Sequence, residues 1–345
     1  MAALSFLYSQ LFVTPPIPTH DFTEQTIIIT GGNRGLGYEA ARHILRLNAA
    51  RVILAVRSIS SGQTAKETLE RDTKRWGAVD VYELDMASHA SVQAFVMEMK
   101  TVNRLDAVLL NAGIFTQDFV LQDGYESTLA VNVVHTFLLA ALLVPVLRRA
   151  AEAHGILPRL SIVASDRHVM NNLPEWKEEN TFRVLNDPKR AKMSQRYPVS
   201  KLLQILLARA MAKRLADANG KPVIVVNSLT PGYTNSGLMN NAHGVTALAG
   251  ALLAKAIARK TEVGSRTLVA AVSMGAESHG KYMNDSEIDG YVFLSVCVRC
   301  PANETRPALS PFVRSEDGAK AQEKMWKELL DILENRVAGI SRVFG

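Results

Sequence analysis

The sequence predicts an α/β fold built on a doubly wound parallel sheet in a single domain, and three observations carry that prediction. Short β-branched or apolar runs alternate with segments of helical apolar spacing, the connections are short, and the first strand runs into a glycine-rich turn that opens a helix. Such alternation implies right-handed crossovers and parallel strands, with a ligand site at the strands' carboxyl ends.

The 345 residues suffice for one large domain with a substantial core. A composition of 48% hydrophobic and 21% charged residues, without repeats or low-complexity tracts, is that of an ordinary globular protein. The net charge of +6 is spread along the chain with no dense basic block, which argues against nucleic acid and leaves a mild bias toward small anionic ligands. Two cysteines, Cys297 and Cys300, make no disulfide framework and point to a reducing, cytoplasmic setting. No stretch reaches the roughly 18 uninterrupted apolar residues of a membrane span. Residues 1–24 read as an N-terminal extension. Leu4, Phe6, Leu7, Leu11, Phe12 and Val13 are apolar, but no basic residue precedes them, and Pro15, Pro16 and Pro18 stop any helix. A short helix packing back on the domain is expected there, with contact of residues 1–14 with a membrane surface as the alternative.

Residues 27–30 form the first strand. Gly31, Gly35 and Gly37 follow within seven positions, and 36–47 carries apolar residues at helical spacing. Glycines permit positive φ and close approach of the backbone, while the helix's unpaired N–H groups and positive dipole end face an anion. Thr30, Gly31, Asn33, Arg34, Gly35, Leu36 and Gly37 therefore read as a phosphate-binding turn, spaced T-G-x-x-x-G-x-G; a plain tight connection is the other reading. Residues 51–56 are the second strand, 61–76 a polar-faced helix, 79–84 a third strand ending at Asp85 and Met86, and 88–102 a helix. The second strand ends Ala55-Val56-Arg57-Ser58, without the acid that would hold the 2′-hydroxyl of NAD. Arg57, with Arg34, is placed to clamp a 2′-phosphate, so NADP(H) is expected, with two solvated surface arginines as the alternative.

The fourth strand, 105–110, ends in Asn111-Ala112-Gly113. A long helix over about 125–153 then holds Asn132 in an apolar stretch, where an amide must be hydrogen-bonded, in a helix contact or in catalysis. Strand 160–164 carries Ser165 at its carboxyl end. Tyr197 opens a helix running to about 218, with Lys201 four residues on and so on the same face. The sixth strand, 223–229, ends in Pro231-Gly232-Tyr233-Thr234.

Together these residues resemble the short-chain dehydrogenase/reductase family over roughly 26–276, and the resemblance implies a Rossmann-type sheet. It further implies that Thr30-Gly31-x-x-x-Gly35-x-Gly37 is the cofactor turn and that Asp85, beside Met86, binds the adenine. Asn111-Ala112-Gly113 would support the central sheet against the cofactor, and Pro231-Gly232 with Thr234 would lie beside the nicotinamide. Asn132, Ser165, Tyr197 and Lys201 match the catalytic tetrad, with Tyr197 and Lys201 also at the cofactor. Within the family the chain looks most like retinol-dehydrogenase-like members, particularly those of fungal secondary-metabolite pathways.

The physical chemistry of that tetrad is specific. A free tyrosine titrates near 10, so bringing Tyr197 to about 7 requires about 4 kcal/mol of preferential phenolate stabilisation. An ammonium about 5 Å away, at an effective dielectric of about 20, supplies roughly 3 kcal/mol, so Lys201 is expected to do most of the lowering, with the positive oxidised nicotinamide adding the remainder. Tyr197 would then be general acid for reduction and general base in reverse, Ser165 would hydrogen-bond the substrate oxygen, and Asn132 resembles the residue that holds a water in a proton relay to the lysine.

About thirty residues separate Ser165 from Tyr197; with Trp176 and Phe182 they are expected to rim the active-site mouth. Within the domain, 25–289, residues 235–260 carry Leu238, Met239, Val245, Leu248, Leu252 and Leu253. That stretch reads as a substrate lid for a bulky, mostly apolar substrate, or as plain core packing. Residues 290–314 read as a surface insert whose Cys297-Val298-Arg299-Cys300 lacks a second pair for zinc, so no metal site is expected. In the C-terminal segment, 315–345, a helix stripe of Met325, Trp326, Leu329, Leu330 and Leu333 is either a docking face or a dimer contact. The expected function is an NADP(H)-dependent oxidoreductase interconverting a ketone or aldehyde and an alcohol, as a homodimer or tetramer by family resemblance. The alternatives are a non-redox epimerase, dehydratase or cyclase using Tyr197 and Lys201, and a non-catalytic nucleotide sensor.

Overall fold

The computed structural model describes residues 2–238, 244, 254, 255, 257–289 and 308–344. Its strands are β1 (Thr26–Thr30), β2 (Arg51–Val56), β3 (Val79–Glu83), β4 (Ala107–Leu110), β5 (Leu121–Gln122), β6 (Tyr125–Glu126), β7 (Arg159–Val163), β8 (Val225–Leu229), β9 (Tyr282–Asn284) and β10 (Glu287–Ile288). Eight of them form one sheet in the order β10-β9-β8-β7-β4-β1-β2-β3, and β5 and β6 make a separate hairpin. Every pairing in the large sheet is parallel except β9 with β10. β1, buried at all five positions, pairs with β2 on one side and β4 on the other, as its all-apolar centre Ile27–Ile29 requires. The chain winds outward from β1 to β3 and then returns to the opposite side of β1 at β4. That reversal opens a crevice beyond the carboxyl ends of β1 and β4, where a doubly wound sheet binds its ligand.

Helices cover both faces. Gly35–Arg46, Ile59–Thr73 and Thr261–Ser273 pack one side, and His89–Met99, Ser127–His154 and Met193–Arg214 the other. Ser58 and Ser88 cap two of these helices by accepting the N–H of Ser61 and Ser91. The helix Ser127–His154 is long and apolar enough to cross a bilayer, but 89% of its apolar window is buried inside the protein, which makes it a core helix. Its segment Ala130–His135 is a π-turn, a local widening the apolar pattern does not announce.

The periphery differs from expectation in two places. The segment between Ser165 and Tyr197 does not simply rim a mouth: Phe182 is fully buried, and Glu328 of the C-terminal helix accepts from Thr181 and Phe182 N–H at 2.9 and 3.1 Å. Lys324 adds a bond to Trp176 O at 2.9 Å, so this insert is stapled to the helix Glu316–Glu334. That helix buries Met325, Trp326, Leu329 and Leu333 against the domain, with Trp326 edge-on to Phe344 at 5.0 Å. Residues 308–314 also depart from the surface insert. Asp289 accepts from Ala308 and Leu309 N–H at 2.6 and 3.0 Å, and Ser310 caps the short helix Pro311–Arg314, whose Val313 is buried. Cys297 and Cys300 lie outside the described residues.

The N-terminal helix Ala2–Phe12 packs back through its polar face. Gln10 accepts from Tyr233 N–H at 3.0 Å and donates to Tyr233 O and Ile257 O at 2.7 and 2.9 Å. Arg259, paired with Asp285 at 2.6 Å, donates to Ser9 O and Val13 O. Leu11 and Phe12 stay exposed.

Candidate active site

The crevice is floored by the glycine turn. Gly31 and Gly35 take φ of +65° and +58°, which a side chain would strain, and a Cβ on Gly37 would come within 2.6 Å of Asn111 Nδ2. Arg34, the N-cap of the helix Gly35–Arg46, makes no side-chain capping bond, so the first amides face the crevice without a protein cap. The Thr30 hydroxyl, almost fully buried, accepts from both Asn111 N–H and Ala112 N–H at 2.9 Å, and Asn111 Nδ2 donates back to Thr30 O at 2.9 Å. These bonds fuse the glycine turn to Asn111-Ala112-Gly113. A Cβ on Gly35 would sit 3.0 Å from Ser236 O, so the segment after Pro231-Gly232-Tyr233-Thr234 closes over the turn. Thr234 bridges to Arg259; of the expected lid between them, residues 239–243, 245–253 and 256 lie outside those described.

Toward the second strand, Arg34 and Arg57 are both exposed and form no ion pair among the described residues. Asn33, Arg34, Tyr38, Ser61, Thr64 and Thr68 line a surface cleft of about 470 Å³; Arg57 lies outside that lining. Asp85 uses Oδ1 to accept Ala87 N–H at 2.9 Å. Met86 is buried, and its carbonyl oxygen lies 2.8 Å from His135 Nδ1.

Ser165 ends β7 and Tyr197 lies in the second turn of Met193–Arg214, which begins four residues earlier than the sequence pattern suggested. The Ser165 hydroxyl is near enough to the Tyr197 oxygen to stabilise its phenolate as a donor, and the Tyr197 ring meets Phe115 edge-on at 5.7 Å. Lys201 Nζ lies 5.5 Å from the Tyr197 ring centre. It donates to Val163 O at 2.8 Å and to Gln204 Oε1 at 2.9 Å, and it would be 3.7 Å from a Cβ on Gly113. The lysine thus stands between the tyrosine and the cofactor-side turn. Asn132, in the π-turn, accepts Ile114 N–H at 2.9 Å through Oδ1 and donates through Nδ2 to Ile114 O and Ser200 Oγ at 3.0 and 3.1 Å. Its main-chain oxygen accepts from Gln204 Nε2 at 2.7 Å. Gln204 therefore links Lys201 Nζ to the Asn132 main chain.

Electrostatics also departs from expectation. Burial pushes Tyr197 up to about 12, against the Ser165 hydrogen bond and the Arg167 charge, which pull it down. Burial likewise pushes Lys201 down to about 7. The expectation was that Lys201 would supply most of the lowering of Tyr197, with the positive oxidised nicotinamide adding the rest; in the protein by itself desolvation of both groups outweighs it. Beside them Asp166 accepts from Thr230 Oγ1 at 3.0 Å, and desolvation raises its carboxyl to about 6.

Phe115, Ser200 and Gln204 did not stand out in the sequence. Gln204 had a signal of the same kind as Asn132, a lone amide in the apolar run Leu202–Leu207. Among the described residues no cluster of His, Cys, Asp and Glu could hold a metal ion.

Comparison with known proteins points to one family. The short chain dehydrogenase family model matches residues 25–164. The chain is 59% identical over 342 residues to the short-chain dehydrogenase anuD of Penicillium roqueforti, covering 99% of this chain and 85% of that one. It is 38% identical to the short chain dehydrogenase/reductase dmxR8 of a Cryptosporiopsis species, over 99% of this chain and all of the relative. Among solved structures, an uncharacterised protein from Mycobacterium paratuberculosis superposes with a TM-score of 0.64 at 24% identity, covering 92% of this chain and 96% of that one. A short chain dehydrogenase from Escherichia coli complexed with NADPH gives 0.56 at 19% identity, over 78% of this chain and 99% of that one.

Proposed function

The chain belongs to the short-chain dehydrogenase family of oxidoreductases, and on that premise we propose that it is an NADP(H)-dependent reductase of a bulky, mostly apolar ketone or aldehyde. The observation that carries the reading is the placement of Lys201 Nζ between the Tyr197 ring and the Gly113 turn, with Ser165 on the tyrosine hydroxyl. The residues fit the cofactor: two positive-φ glycines and an uncapped helix start suit a pyrophosphate, and the exposed Arg34 and Arg57, without an ion pair among the described residues, suit a 2′-phosphate. When bound, NADPH supplies the hydride. Thr30 and Asn111 hold the turn shape, and Lys201, with two of its N–H groups bound to Val163 O and Gln204 Oε1, would have one left for the cofactor.

Tyr197, pushed up to about 12, is protonated at neutral pH, which is the state a general acid for reduction must have. Charge developing on the carbonyl oxygen would be met by a hydrogen bond from Ser165 and neutralised by the Tyr197 proton. An alkoxide is a far stronger base than a phenolate, so that transfer runs downhill. Phe115 against Tyr197 supports an apolar substrate wall, and the fungal relatives support a setting in a secondary-metabolite pathway.

The test is NADPH consumption with a panel of bulky ketones, wild type against Tyr197→Phe. Turnover that the substitution lowers by at least about a hundredfold supports the reading; binding of NADPH without its consumption favours the non-redox alternative.

A further inference from the structure

Resting on the reading of Lys201 just given, we propose that Gln204 is a positioning residue of the active site. It replaces the water of the family's relay with a fixed side-chain link from Lys201 to the main chain of Asn132. Gln204 Oε1 accepts from Lys201 Nζ at 2.9 Å while Nε2 donates to Asn132 O at 2.7 Å. Gln204 and Lys201 are almost wholly buried and Asn132 completely so. The amide orientation is fixed by chemistry, since a flip would set Nε2 against the ammonium and Oε1 against a carbonyl. Gln204 lies one helical turn beyond Lys201, so the same helix carries both ends of the bond.

Two consequences follow from replacing water by an amide. First, Lys201 has no carboxylate partner among the described residues, and burial sets its downward shift. Tyr197, on its own helix, is the titratable group facing it, and Asp166 and Arg167 act on Tyr197 from the end of β7. The carbonyl dipoles of Val163 and Gln204 are therefore what keep the ammonium form accessible near neutral pH. Second, a water can accept one proton and release another, whereas a neutral amide does not exchange protons in this way. The proton path from Tyr197 through Lys201 accordingly stops at Lys201, and Gln204 holds the lysine instead of refilling it.

The test compares Gln204→Leu, which fills the space with carbon, and Gln204→Ala, which leaves room for a water. The first readout is an NMR titration of the Lys201 side chain in the ligand-free protein, assigned with Lys201→Met. The Leu variant should titrate at least about one pH unit below wild type, whereas the Ala variant, with water restored, should stay within about half a unit. In NADPH-dependent reduction the Leu variant should lose about tenfold or more in kcat and shift its pH profile, and the Ala variant should recover most of that loss although it is the less stable protein. A purely structural role ranks the two variants by stability, with Leu above Ala, and leaves the Lys201 midpoint unmoved; either result overturns the proposal. A shifted midpoint in a protein that reduces no carbonyl would uphold Gln204's role and refute the reductase reading.

Discussion

Replacing Thr30 by Val keeps the shape of the side chain and removes one oxygen, and its cost can be worked from the bonds that oxygen makes. The hydroxyl accepts from the backbone N–H of Asn111 and of Ala112, each at 2.9 Å. Its own contact to Leu109 O, at 3.5 Å, is too long to count for much. A buried N–H left without an acceptor costs about 1–3 kcal/mol, and because Asn111 and Ala112 are half-buried the lower end applies, giving about 2 kcal/mol for the pair. Thr30→Ser keeps the acceptor and loses one buried methyl, about 0.8 kcal/mol. Urea unfolding followed by circular dichroism should therefore rank wild type above Ser above Val at a common slope. The Val variant should also lose affinity for NADPH, because the turn these amides hold is the cofactor floor. A Val variant as stable as the Ser variant would show that this hydroxyl does not tie the glycine turn to β4.

Other outcomes follow from the same structure. Arg57→Ala should weaken NADPH binding by about tenfold or more while leaving NADH nearly untouched, read by calorimetry, since only the 2′-phosphate calls for that guanidinium. Trp326→Ala, emptying a buried site that also holds Phe344 at 5.0 Å and the Arg214 guanidinium at 4.9 Å, should cost about 3–5 kcal/mol in unfolding free energy. Lys201 is pushed down to about 7 in the folded protein against 10.5 ordinarily, so between those values the unfolded chain binds more protons and stability rises with pH. Lys201→Met should abolish that rise; relative to wild type it gains on the order of 4 kcal/mol more at pH 7 than near pH 10.5, read from unfolding midpoints across the range. Reduction should fall as pH rises through about 7, where the Lys201 ammonium is lost, while oxidation of the product alcohol, which needs the Tyr197 phenolate, should climb into alkaline pH.

The parts of the site legible in the sequence are those where one local pattern meets one physical demand. Ile27–Thr30 running into Gly31 states both a buried strand and a turn that tolerates no side chain, and the structure keeps both in place. Asn132 was conspicuous as a buried amide, but its actual partners, Ile114 and Ser200, are set by the packing of two helices and a loop. Gln204 carried the same signal and escaped notice because nothing in its own segment says that its partner is a main-chain oxygen 72 residues earlier. The anchoring of the insert that holds Phe182 is hidden from the sequence for a similar reason, since its partner, Glu328, lies on the last helix. The titration of Tyr197 was misjudged because sequence names the charged neighbour without showing that both groups are dry.

The most direct test of the central claim is hydride transfer itself. The protein is incubated with NADPH deuterated at the transferable C4 position and a bulky ketone, and the product alcohol is examined by mass spectrometry. One deuterium on the carbinol carbon, formed in step with NADPH loss and absent with Tyr197→Phe, is the predicted result. A product without deuterium, or one formed equally well by Tyr197→Phe, would contradict the account.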